Sequence, residues 1–132
     1  MTLPDAERFE RASLLAWPGI EVDWDGSWVR RASQGYTKRA NSMQCCDPAD
    51  DSDVSARLLT AGAWFKARGV PPVVRITPLT GPNLQTALDD QGWDTVDHSH
   101  LFAMPLGPTA PDTRVTITTV TDPEFLRVQE RL

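Results

Sequence analysis

Residues 36–70 read YTKRANSMQCCDPADDSDVSARLLTAGAWFKARGV, and three kinds of structure follow one another within them. Thr37 to Cys46 has short side chains and no apolar recurrence at helical spacing, which predicts a strand. Asp47-Pro48 ends it, since proline offers no amide to a ladder. Asp50 to Asp53 supply N-cap candidates and first-turn negative charge, both favourable at a helix N-terminus. Val54, Leu58, Ala61 and Phe65 then recur at helical spacing until Gly69 and Pro71-Pro72 stop the run, so the longest helix is expected over residues 53–68.

Upstream of this stretch, Pro4 to Ala16 predicts a helix. Pro4 suits its first position, Asp5 and Glu7 its first turn, and Phe9, Ala12, Leu15 and Ala16 give a stripe to bury. Ile20 to Ser33 predicts a β-hairpin with Asp25-Gly26 as a two-residue turn. That register pairs Val22 with Val29 and Glu21 with Arg30, puts Ile20, Val22, Trp24 and Val29 on the core side, and leaves Trp28 exposed or at an interface. Three antiparallel strands then meander through Cys46.

Downstream, Val73 to Thr77 (VVRIT) suits a strand buried on both faces. Thr80-Gly81-Pro82 opens a helix with Leu84, Ala87 and Leu88 inward and Gly92 just past its end. Trp93 to Met104 is expected to return as a longer strand. Residues 107–113 have the Pro, Gly and Thr content of a linker. Arg114 to Thr121 alternates as a strand, and Asp122-Pro123 starts a helical stripe of Phe125, Val128 and Leu132. The expected organisation is a first domain over residues 1–106, a linker over 107–113, and the cut start of a second domain over 114–132. The fold class is α/β (α+β): a mixed sheet with an antiparallel three-strand meander and flanking helices.

Composition narrows the function. With 132 residues, 40% hydrophobic and 23% charged, the chain has enough apolar material for one core, to which five tryptophans contribute. A net charge of −5, densest at Asp47 to Asp53, argues against nucleic acid or an anionic membrane as partner. No segment approaches the roughly 18 apolar residues of a membrane span. The N-terminus has no apolar core of a secretory signal, so a cytoplasmic location is expected. The two cysteines, Cys45 and Cys46, are adjacent, fall on opposite faces of a strand, and read as reduced thiols.

Several residue pairs could carry chemistry. His98 and His100 have the spacing of a two-histidine metal pair, but no third ligand can be named, so no metal is expected. Asp89-Asp90 diverge on a helix and read as a solvated face. Arg30-Arg31 with Lys38-Arg39 could form a basic patch for a phosphate or acidic substrate, although alternation sends neighbours to opposite faces.

ANSM (residues 40–43), an acidic connection, and a helix ending in FKARGVPP (residues 65–72) resemble the GNAT superfamily of N-acetyltransferases. The likeness is closest to the degenerate N-terminal half of tandem members and covers about Trp17 to Leu106. It implies a GNAT-like (acyl-CoA N-acyltransferase) fold, acyl transfer from acetyl-CoA or another acyl-CoA to an amine, and a C-terminal GNAT domain of the same parent as partner. In that family a Q/R-x-x-G-x-G/A connection holds the coenzyme A pyrophosphate on backbone amides and a helix N-terminus. Here the connection reads QCCDPADDSD (residues 44–53), without glycine, and Asp47, Asp50, Asp51 and Asp53 stand where a polyanion would sit. The expectation is that this copy holds no cofactor and serves packing or substrate specificity, with Arg39 and Asn41 as cleft positions by resemblance. Other readings stay open: a pseudo-GNAT module that binds a small molecule or regulates a partner, a homodimerisation domain, or an active enzyme with an altered coenzyme site.

Overall fold

The computed structural model describes residues 2–108, 110, 112–114, 116, 119 and 122–129. It divides into two compact units, Met1–Val96 and Asp97–Leu132.

The first unit begins with helix α1 (Leu3–Ala16), which Thr2 caps by accepting from the Asp5 amide while the Asp5 side chain returns to the Thr2 amide. That reciprocal box satisfies two orphan donors of the first turn. Strands β1 (Glu21–Asp25), β2 (Trp28–Ala32) and β3 (Met43–Cys45) form an antiparallel sheet in the order β1-β2-β3. Helices α2 (Val54–Lys66) and α3 (Pro82–Asp90) pack on one face of it. Trp28, Met43 and Cys45 from the sheet meet Val54, Leu58, Ala61 and Phe65 from α2 and Leu84 and Leu88 from α3. This mixed α/β architecture, with its three-strand meander and flanking helices, is consistent with a GNAT-like fold.

The helical stripe of residues 54–65 is buried as its spacing requires, and α3 starts and stops where proline and glycine place it. Other expectations need correction. The hairpin turn is Gly26-Ser27, not Asp25-Gly26: Asp25 pairs with Trp28, Asp23 with Arg30 and Glu21 with Ala32. Gly26 sits at φ +59°, and a turn with positive φ at its first central residue needs glycine there. The shift keeps every side chain on its expected face of the sheet, but α2 and α3 cover the face that carries Trp28, which is 1% exposed and belongs to the core. Ile20, Val22 and Trp24 are exposed, because β1 is an edge strand whose outer face gets little cover.

The third strand is three residues long instead of the ten from Thr37 to Cys46. Asn41 explains the loss. Its Oδ1 accepts from the amides of Ser33 (2.6 Å) and Gly35 (3.0 Å), and its Nδ2 donates to the Thr37 carbonyl (2.6 Å). Side-chain bonds of this kind compete with a ladder for the same backbone groups. The apolar stripe of α1 is also misplaced: Ala6 and Glu10 are buried, whereas Leu15 is 83% exposed and Ala12 and Ala16 face solvent. Residues 73–77 run parallel to β3 through one bridge, Met43 to Val74, and Ile76 is exposed.

Residues 93–104 form no strand, and Leu101, Phe102 and Met104 are exposed. In the second unit, α4 (Pro123–Gln129) starts at the expected proline, with the Glu124 amide donating to Asp122 Oδ1 at 2.9 Å. Most of the strand expected over Arg114 to Thr121, and Leu132, lie outside the described residues; Arg114 itself is in a turn.

Candidate functional site

The connection from β3 to α2 is where the resemblance would put a cofactor, and its four aspartates have separate duties. Asp47 Oδ1 accepts from the Ala49 amide at 2.9 Å and shapes the Pro48 turn. Asp50 clasps the hairpin. Its Oδ2 accepts from the Ser27 amide (2.7 Å) and hydroxyl (2.8 Å), and its Oδ1 from Arg57 Nη1 (2.8 Å). Its carbonyl accepts from Trp28 Nε1 at 2.9 Å. Hydrogen bonds from Arg57 and Ser27 favour the ionised form and hold the Asp50 carboxyl at about 2.

Asp51 serves another element. Its carboxylate accepts from the amides of Asn83 (2.7 Å) and Leu84 (3.0 Å), capping α3 from a distant loop. A Cβ on Gly81 would collide with that carboxylate, so glycine is what lets the two segments approach. Asp53 precedes α2 at φ +51° and makes no side-chain cap, and α2 has no acid in its first turn. The expected capping of α2 by this acidic run is therefore not what the run does; it caps α3 and holds the hairpin instead.

A groove of about 680 Å³ lies at the N-terminus of α2, and Asp51, Asp53 and Asp90 are among its lining residues. A helix terminus offers an anion about 0.3–1 kcal/mol. One like charge at 4 Å opposes it by about 1 kcal/mol even in water. Three carboxylates outweigh one terminus, so the residues present do not suit a pyrophosphate group.

Arg57 ties the same region to β1. Its Nε donates to Asp25 at 2.9 Å, and its guanidinium lies 3.9 Å from the Trp28 ring centroid. Two more pairs complete a row along β1: Arg68 with Glu21 at 2.8 Å, and Arg30 with Asp23. Arg68 stacks 3.8 Å over Trp64, and Arg30 lies 5.8 Å from the same ring. Arg57 and Arg68 are eleven residues apart, about three helical turns, a spacing that could have matched them to the alternating acids of β1.

The opposite face of the sheet carries a second polar group. Gln44 is fully buried and donates to Glu10 Oε2 at 3.1 Å. Arg75 also pairs with Glu10 and reaches Gln44 Oε1 at 3.4 Å. Arg31 donates to the Trp17 carbonyl at 2.9 Å and approaches Gln44 at 3.4 Å. Arg30 and Arg31 thus split between faces as strand alternation requires.

The remaining sequence candidates are dispersed. Arg39 is exposed, with its guanidinium 5.5 Å from the Trp17 ring. Asn41 is buried and committed to its loop. His98 and His100 are exposed with ring centroids 6.1 Å apart. Among the described residues no three His, Cys, Asp or Glu side chains gather as a metal would need. Cys45 and Cys46 are buried free thiols, and burial pushes the Cys46 thiol up, which lowers its nucleophilic fraction. No helix among the described residues is long and apolar enough to cross a membrane.

A family model described as probable histone acetyltransferase Rv0428c C-terminal matches residues 5–132. The chain belongs to this family. Its relatives support the GNAT-type N-acetyltransferase character of the Rv0428c C-terminal family. An uncharacterized N-acetyltransferase, YobR of Bacillus subtilis (strain 168), is 30% identical over 95 residues, which is 72% of this chain and 37% of YobR. The probable histone acetyltransferase Rv0428c of Mycobacterium tuberculosis (strain ATCC 25618 / H37Rv) is 35% identical over 63 residues, 48% of this chain and 20% of that protein. The chain therefore spans well under half the length of the curated relatives it matches. No solved structure matches it.

Proposed function

We propose that this chain is a non-catalytic GNAT-like domain within a larger acetyltransferase, in which a second copy of the fold transfers an acyl group from acyl-CoA to an amine. The observation that carries this reading is the acidic connection: Asp50 and Asp51 are spent on the hairpin and on α3, and no glycine loop presents amides to a pyrophosphate. Membership of an acetyltransferase family supplies the reaction class, and the greater length of YobR and Rv0428c leaves room for a catalytic copy. On this reading the domain packs against that copy and contributes to its substrate cleft. In that arrangement residues 1–106 form the leading domain and residues 114–132 begin the catalytic one. The parent works in the cytoplasm, in keeping with two buried, reduced thiols.

Calorimetric titration of the chain with acetyl-CoA tests the proposal. The expected result is no saturable heat while circular dichroism shows a folded protein. Micromolar binding abolished by a bulky substitution at Ser55, on the groove wall, would overturn it.

A further inference from the structure

The polar group on the α1 side of the sheet has a charge imbalance that its own residues do not correct. Arg75 pairs with the one carboxylate of the group, Glu10, and Arg31 reaches the group through Gln44 Oε1 at 3.4 Å. Arg39 joins them through Trp17, stacking on the indole whose backbone carbonyl Arg31 holds. Three guanidinium groups and one carboxylate leave two positive charges in a molecule whose net charge is −5.

Arg31 is 2% exposed, and its Nε has no hydrogen-bond partner. A buried, charged donor left unmade is among the least favourable states for a polar group. Burial, and then the neighbouring Arg75 charge, push the Arg31 guanidinium below its usual value. Arg75 spends one terminal nitrogen on Glu10 and Gln44, and its side chain is 36% exposed, so the group has an open lip toward solvent.

We propose that Arg31 and Arg75, gathered around Glu10 and Gln44 on the α1 face of the sheet, together with Arg39 on the Trp17 indole, form a recognition site for a small oxyanion, a carboxylate or a phosphate group. The anion would seat against the exposed lip of Arg75 and between it and Arg39, where planar guanidinium forks match two-oxygen acceptors. Its charge would also relieve Arg31 behind them. This site lies on the opposite sheet face from the groove at α2, so it goes beyond the functional reading above and does not depend on it.

The test titrates the 132-residue chain with sodium phosphate, sodium acetate and sodium chloride at matched ionic strength. Arginine Nε–Hε signals are followed by NMR and melting by circular dichroism. The expected result is a saturable shift of the Arg31 signal with phosphate or acetate and none with chloride. Response to phosphate alone identifies a phosphate-bearing ligand, and response to acetate identifies a carboxylate. Arg75→Gln and Arg39→Gln should each weaken binding about tenfold, the loss of one charge-assisted hydrogen bond. If Arg75→Gln fails to fold, Arg39→Gln carries the test, since Arg39 is exposed. The same linear drift in all three salts, or a wild-type curve in Arg39→Gln, would overturn the site. Coenzyme A carries phosphates, so acetyl-CoA heat that disappears in Arg39→Gln belongs here. Heat that survives belongs elsewhere and counts against the non-catalytic reading instead.

Discussion

The Asp50 carboxylate accepts hydrogen bonds from Ser27 and Arg57 at once, and that arrangement makes it a pH-dependent brace. Its folded value of about 2 lies below the unfolded carboxylate value of about 3.9. A depressed acid contributes stability that is complete above the unfolded value and is lost as pH falls through the folded one. The window here is about pH 4 down to 2, and the contribution is on the order of 2 kcal/mol. Urea denaturation of Asp50→Asn should therefore show lower stability at pH 7 and a flatter profile below pH 4; an unchanged acid limb would remove Asp50 from this role. Asp51 gives a second case. Asp51→Ala strips the cap from α3 and should destabilise by about 1 kcal/mol, read from the same urea midpoints. The sequence made the charge density of this loop plain. It could not name the partners, since Ser27 and Asn83 lie 23 and 32 residues away from the aspartates that bind them.

The hairpin depends on which residues form its turn. Asp25-Gly26 is a strong turn signal and it placed the reversal within one residue, yet the pairing slipped so that Asp23 meets Arg30. The tie-breaker is tertiary. Asp50 holds the Ser27 amide, and Arg57 reaches over Trp28 to Asp25, so the turn is fixed from α2 and its approach loop. Local turn preference carries none of that information. Gly26 is the sensitive position, since its φ is positive and a Cβ would stand 2.5 Å from Asp50 Oδ2. Gly26→Ala should cost about 1–3 kcal/mol from backbone strain and displacement of that carboxylate. The companion Gly35→Ala tests the assignment, because a Cβ there meets nothing within 4 Å although its φ is also positive. A smaller loss at Gly35 than at Gly26 is expected in thermal melts; equal losses would mean that the contact with Asp50 is irrelevant.

Across the whole molecule, the sheet is covered unequally. Helices α2 and α3 bury a continuous apolar cluster, which is why the recurrence of Val54, Leu58, Ala61 and Phe65 was enough to locate the core. Helix α1 could not be oriented the same way. It turns Ala6 and Glu10 inward, and Glu10 answers Gln44 and Arg75 instead of an apolar surface, so its hydrophobic stripe was a poor guide to its buried face. The reaction class was legible only through family likeness; the sequence offered Arg31 and Arg39 as part of a basic patch but not Arg75 or Glu10, which only the folded sheet and α1 bring to Gln44. The unequal cover has a measurable consequence. Cys45, the last residue of β3, points into the α2 layer, and Cys46, just past the strand, toward the α1 side. Few apolar contacts hold α1, so this layer should open before the core does. In single variants Cys45→Ser and Cys46→Ser, the remaining thiol is labelled with an aromatic disulfide under native conditions. Cys46 should react at least about tenfold faster than Cys45, a difference of about 1.4 kcal/mol in opening free energy. Equal rates, both tracking global unfolding in urea, would show that α1 and the core separate from the sheet as one unit.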